Sequence, residues 1–184
     1  MKLLWFLFFY TTRILSQNNT DESNNTILWN QNIQLEWKDF SGEIDPNLFG
    51  SALTTYSIEI IPENVLVDRE DNIQGYENLT VIAKFYKDKS WSVIKTYELL
   101  SHEQLHFDIA ELYARKIRKK FSGLKEKGEQ KFSSYATAYE VLWQKCREYQ
   151  KTYDYDTKNG ILIARNKWWI NKVNEELTEL NKYK

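Results

Sequence analysis

The chain has 184 residues, enough for one domain with a sizeable core and too few for two ordinary ones. Lys+Arg 25 against Asp+Glu 26 leaves a formal net charge of -1, which excludes a global field favouring nucleic acid or an acidic membrane surface. Cys146 is the only cysteine, so there is no disulfide framework, and the 7 Trp, 12 Tyr and 9 Phe read chiefly as core.

Met1-Lys2, an apolar run over residues 3–10 and small residues up to Ser16 read as a secretory signal over residues 1–17. The run is short of the ~20 apolar residues of a membrane span. Arg13 is unusual there, so an uncleaved extension stays as an alternative. Residues 18–28, rich in Asn, Ser and Thr, read as a flexible lead-in, and 29–184 as the domain proper. The expected location is the periplasm or the extracellular space.

Residues 33–37 alternate apolar and polar, as a half-buried strand does. Residues 52–61, rich in Thr, Tyr and Ile, predict a second strand ending at Pro62. Residues 65–67 suggest a short third, and 79–86 give the clearest strand of the set. From Tyr97 the period turns helical: His102, His106, Ile109, Tyr113 and Ile117 form one stripe. Lys116, Arg118, Lys119 and Lys120 follow it, a solvated helix end rather than a nucleic-acid patch. Ser122-Gly123 and Gly128 bracket a loop before a second helix over about 130–149, on whose apolar stripe Cys146 reads as a buried, inert thiol. Residues 153–160 are polar and turn-like, and Trp169, Val173, Leu177 and Leu180 mark a last helix. The fold class is therefore α+β: a mostly antiparallel N-terminal sheet, then three helices.

Both histidines of the chain fall in one pattern, His102-Glu103-Gln104-Leu105-His106. Positions four apart share one face of a helix, so two imidazoles there can grip one zinc ion. Glu103 beside them is placed to take a proton from the attacking water. The bland reading, a charged helix turn, stands beside it. A catalytic zinc site also needs a third protein ligand, which the motif does not contain.

The run Leu99-Leu100-Ser101-His102-Glu103-Gln104-Leu105-His106-Phe107-Asp108-Ile109-Ala110-Glu111 resembles the signature of a group of bacterial predicted secreted zinc-dependent proteases, grouped as a domain of unknown function. The likeness includes Leu35-Glu36-Trp37-Lys38-Asp39-Phe40, Ser90-Trp91, Tyr113-Ala114-Arg115-Lys116, then Tyr153-Asp154, Thr157, Gly160 and the Trp169 helix. It implies a zincin-like fold, an active-site helix and metalloprotease activity. One departure stands out. Relatives often carry His-Gly where this chain has Asn159-Gly160, and an amide is a poor zinc ligand.

With both histidines used, the third ligand must be a carboxylate, Cys146 or a tyrosine. Asp108 lies about 200° round the helix from His106 and Glu111 about 140°, so both point elsewhere. Glu111 is expected to pair with Arg115, and Asp108 to orient a neighbour. Glu140 and Glu148 on the second helix, and Asp154 and Asp156 in the turn-like segment, remain; Asp154 is favoured because loops carry chemistry. The bland reading of Asp154 and Asp156 is capping. Tyr153, Tyr155 and Arg115 are the candidate oxyanion or substrate donors. The expected function is a Zn2+-dependent peptidase acting on peptide or protein substrates through zinc-activated water and Glu103 as general base. The alternative is a catalytically inactive zincin-like binding module of the cell envelope, which the Asn159 departure suggests.

Overall fold

The computed structural model describes residues 24–45 and 50–184. The expected signal segment lies outside the described residues, as does residues 18–23 of the lead-in. The end of that lead-in is structured: Thr26–Leu28 forms β1. It is followed by β2 (Ala52–Leu53), β3 (Tyr56–Ile61), β4 (Thr80–Tyr86) and β5 (Trp91–Ser92). Three helices complete the chain: α1 (Tyr97–Lys125), α2 (Phe132–Thr157) and α3 (Ile163–Glu179). This is the α+β order that the sequence predicts, an antiparallel sheet and then three helices. None of the described helices is long and apolar enough to cross a membrane.

The main sheet has the order β1-β4-β3, antiparallel throughout, with Ile27 opposite Phe85 and Ile58 opposite Ala83. In β4, Val81, Ala83 and Phe85 are buried while their neighbours are half-buried, the period of two that makes this segment legible. The buried face packs on α1, where the Phe85 and Phe107 ring centroids are 5.8 Å apart. Being central, β4 offers no free edge to which an extended peptide could add as a further strand.

The expected strand over residues 52–61 is broken in two. Thr54 turns inward to bond the Glu103 carbonyl at 3.2 Å, and the Thr55 amide goes to Ser90 Oγ at 2.9 Å. β2 therefore pairs with β5 and β3 with β4. Residues 33–37 form no strand. The Leu35 amide bonds the Gln104 side chain at 2.8 Å instead of a neighbouring strand, and Trp37–Asp39 closes into a 3-10 turn held by the reciprocal Glu36/Asp39 capping box. At residues 65–67 only an isolated bridge, Val67 to Ile73, is made.

Thr96 starts α1, its hydroxyl accepting the Leu99 amide at 3.2 Å. The helix is covered on nearly every side: Ile109, Ala110, Leu112, Ala114 and Ile117 are fully buried. Most of its buried polar groups are therefore paired inside the protein. Glu111 accepts Arg115 Nε at 2.9 Å and also pairs with Arg118, as its spacing predicted for the first partner. Ser122-Gly123 does not end the helix; packing of Phe121 and the bonds of Lys125 Nζ to the Glu77 and Leu79 carbonyls carry it to Lys125. The helices α2 and α3 pack against it, with Tyr149 edge-on to both Tyr113 and Trp169. Lys116 of α1 reaches Glu176 of α3 at 2.8 Å. Trp169, Val173, Leu177 and Leu180 are the buried line of α3, as read from the sequence.

Candidate metal centre

Three side chains meet on the inner face of α1. His102 Nε2 and His106 Nε2 are 3.2 Å apart, and Asp154 Oδ1 lies 3.2 Å from the first and 3.0 Å from the second. His102 is buried, His106 nearly so, and Asp154 is 38% exposed on its side chain, so one side of the triangle faces solvent. Three ligand atoms bound tetrahedrally to one zinc at ordinary distances stand about 3.3 Å apart. The observed edges match that spacing, and the donor set of two imidazoles and one carboxylate suits zinc.

Asp154 comes from an unexpected element. The segment that reads as a turn is helical, and α2 runs on to Thr157 before the left-handed Lys158 and Asn159 close it. Cys146, Gln150, Tyr153 and Thr157 are all buried, so the inward stripe of α2 continues past Tyr149 with polar members. Asp154 projects beside that stripe. Asp154 thus meets the two imidazoles from a helix and not from the loop that the sequence suggested.

Gln150 has a role that sequence reasoning missed. Its Nε2 donates to the His106 carbonyl at 2.8 Å, which turns its Oε1 toward His106 Nδ1 at 2.5 Å. A carboxamide oxygen only accepts, so Nδ1 carries the hydrogen and Nε2 of the neutral ring keeps its lone pair. This is the outer bond that orients a metal-binding histidine. The signal was its spacing, four after Cys146 and four before Asp154. Gln150→Leu is expected to weaken zinc binding ~10–100-fold with little loss of fold, checked by competition against a chromophoric chelator. Unchanged affinity would mean that Gln150 only fills space.

His102 is held differently, by packing. Tyr153 stacks on its ring with centroids 4.6 Å apart, and Gly160 approaches the other part of the ring so closely that a Cβ there would lie 2.9 Å from His102 Cγ. His102 Nδ1 is buried and has no hydrogen-bond partner among the described residues. The Glu103 Oε2 oxygen is in the same condition, inside a residue 3% exposed.

The electrostatics follow from this crowding. Burial lowers the basicity of His102 more than Asp154 restores it. Burial opposes charge on His106 too, but the Asp154 contact, with Glu103 and Gln150, outweighs it and raises the pKa to about 9. Asp154, despite its own burial, is held well below the usual carboxylate range by the two imidazoles. A metal entering here has to displace the proton that His106 shares with Asp154, so its binding releases a proton.

The other candidates lie elsewhere. Tyr153 is fully buried, with its hydroxyl donated to the His102 carbonyl and Asn166 Oδ1, so it positions His102 and offers no oxyanion donor. Tyr155 is 87% exposed on the outer side of α2. Arg115 is bound to Glu111 and the Leu177 carbonyl on another face of α1. Asp156 takes Trp169 Nε1 at 2.8 Å and pairs with Arg165. Glu140 and Glu148 are exposed. Asp108 accepts from Trp29 and Gln104, orienting neighbours as expected but away from the histidines. Cys146 is fully buried, and burial pushes its thiol up to about 12, in keeping with an inert side chain. Asn159 is exposed, and its backbone amide caps the Asp154 carbonyl.

The class these features define is an α+β domain whose central helix carries a His-Glu-x-x-His motif closed by an aspartate from the next helix. Residues 86–160 match a family model described as bacterial protein of unknown function (DUF922), which supports a bacterial domain of unknown function over that stretch. The matched segment includes every residue of the cluster as well as Gln150 and Gly160. No curated protein and no solved structure matches the chain.

Proposed function

We propose that the chain is a zinc-dependent peptidase of zincin type, secreted or periplasmic, with His102, His106 and Asp154 as metal ligands and Glu103 as general base. The observation that carries this reading is the convergence of three ligand atoms within 3.2 Å of one another, one residue along the helix from a buried carboxylate oxygen with no partner. Leaving such an oxygen unpaired costs on the order of 1–3 kcal/mol, an arrangement that makes sense where chemistry uses the group.

Zinc, when bound, supplies Lewis-acid polarisation of water and of a peptide carbonyl. Glu103 accepts the proton of the attacking water at its free oxygen and returns it to the leaving amine. Gln150 fixes the tautomer of His106, and the Tyr153 and Gly160 packing fixes the plane of His102. The N-terminal signal-like run supports export. The inactive-module alternative loses its motive, because Asp154 offers the third donor that Asn159 does not.

Glu103→Gln is expected to keep the full metal content and to lower turnover of a fluorogenic peptide library ~10²–10⁴-fold. A variant that binds zinc and still cleaves at the parental rate would remove Glu103 from the role of base.

A further inference from the structure

A second concave site lies on another face of α1 from the histidines. It is a half-open cleft of about 390 Å³ between the segment that follows β1, the middle of α1 and the end of α3. Its floor holds Asp108, Arg115 and Trp29. Arg115 is 3% exposed, with Nε on Glu111 and Nη1 on the Leu177 carbonyl, and its guanidinium carbon lies 5.2 Å from the Trp29 ring. Its Nη2 makes no hydrogen bond among the described residues. Asp108 Oδ1 takes both Trp29 Nε1 and Gln104 Nε2, which leaves Oδ2 open. A donor and an acceptor thus line the cleft beside an aromatic ring without a bond to the protein, and neither serves the metal cluster.

Charge and donor chemistry narrow the ligand. The cleft's lining holds one acid and one base, Asp108 and Arg115, so it carries no net charge that would favour an anion or a cation. Its rim is carboxamide: Asn30, Gln31, Gln34, Asn174 and Asn181. Each such group donates and accepts at neighbouring atoms. The complement is an uncharged ligand whose groups also do both at close spacing, which vicinal hydroxyls on a ring do. An indole beside them suits the C–H face of such a ring. We propose that this cleft binds carbohydrate, one or two neutral sugar units of a glycan. A peptide segment shares the neutrality but presents its donors and acceptors along a line, and is the rival that the test separates.

The experiment titrates the full ¹⁵N-labelled chain with cellobiose, N,N′-diacetylchitobiose and other neutral disaccharides, and separately with trialanine. The indole N–H of Trp29, bonded to Asp108, is the reporter. At least one saccharide is expected to move it saturably at millimolar concentration. The double variant Gln34→Ala/Asn174→Ala, which touches only exposed rim residues, should weaken that binding about tenfold while its spectrum stays folded. Silence of Trp29 toward every saccharide, a response to trialanine alone, or equal affinity in the double variant would overturn the proposal. Peptidase activity enters none of these readouts, so the two proposals stand or fall separately.

Discussion

Asp154→Ala is expected to reduce zinc affinity by more than the ~10–100-fold that loss of an outer hydrogen bond costs, because it removes a ligand atom rather than its support. The backbone should tolerate the change. Asp154 lies within α2, alanine is the best helix former, and among the described residues its carboxylate pairs with the two imidazoles alone. Far-ultraviolet circular dichroism should therefore be unchanged while zinc is lost. Asp156→Ala is the matched control: its carboxylate joins Arg165 and Trp169 on α3, so zinc affinity should stay while the melting temperature falls slightly. The reverse pattern, zinc lost with Asp156 and kept without Asp154, would dismantle the ligand assignment.

Gly160→Ala is expected to damage both the fold and the cluster. Gly160 has φ 83°, which costs a residue with a Cβ about 1–2 kcal/mol. The new methyl would also sit 2.9 Å from His102 Cγ and 3.0 Å from its Cβ. The ring cannot yield, since Tyr153 stacks on it. Overpacking of this kind adds ~1–3 kcal/mol, so the total is about 3 kcal/mol, or roughly 10 °C in Tm for a chain of this size. Zinc affinity should fall with it, as His102 is pushed from the cluster. Gly123→Ala sets the scale from the other side. That glycine is inside α1 with nothing within 4 Å of its would-be Cβ, so alanine there should stabilise by about 0.5–1 kcal/mol. Thermal melts of both variants check the pair, and a Gly160→Ala protein as stable as the parent would mean that the turn carries no constraint on His102.

The same glycine explains how the site can be read from sequence and where that reading stops. Helix spacing alone puts His102 and His106 on one face, and β4 announces itself by alternation; both are local properties. That Asp154 reaches the two histidines depends on where α2 passes, which no local pattern contains. Tyr153 to Thr157 look turn-like because Asp, Tyr and Thr are poor helix formers, yet both end residues are buried, Tyr153 between His102 of α1 and Trp169 of α3, and that packing extends the helix. Gln150 was hidden for a related reason. A buried glutamine on an apolar stripe shows its partner only when the facing helix is in place. Residues 33–37 failed in the opposite direction: their alternation is real, but Gln104 satisfies the Leu35 amide where a strand neighbour would have been. At Asn159 the turn leaves the side chain in solvent and sets the amide on the Asp154 carbonyl.

The most direct test of a zinc centre built from this cluster is zinc per polypeptide, by elemental mass spectrometry, on the parent chain and on His102→Ala after incubation with the metal and gel filtration. The ligand set described here predicts close to one zinc ion per parent chain and almost none in the variant. A parent chain that emerges without zinc, or a variant that retains as much as the parent, would contradict it.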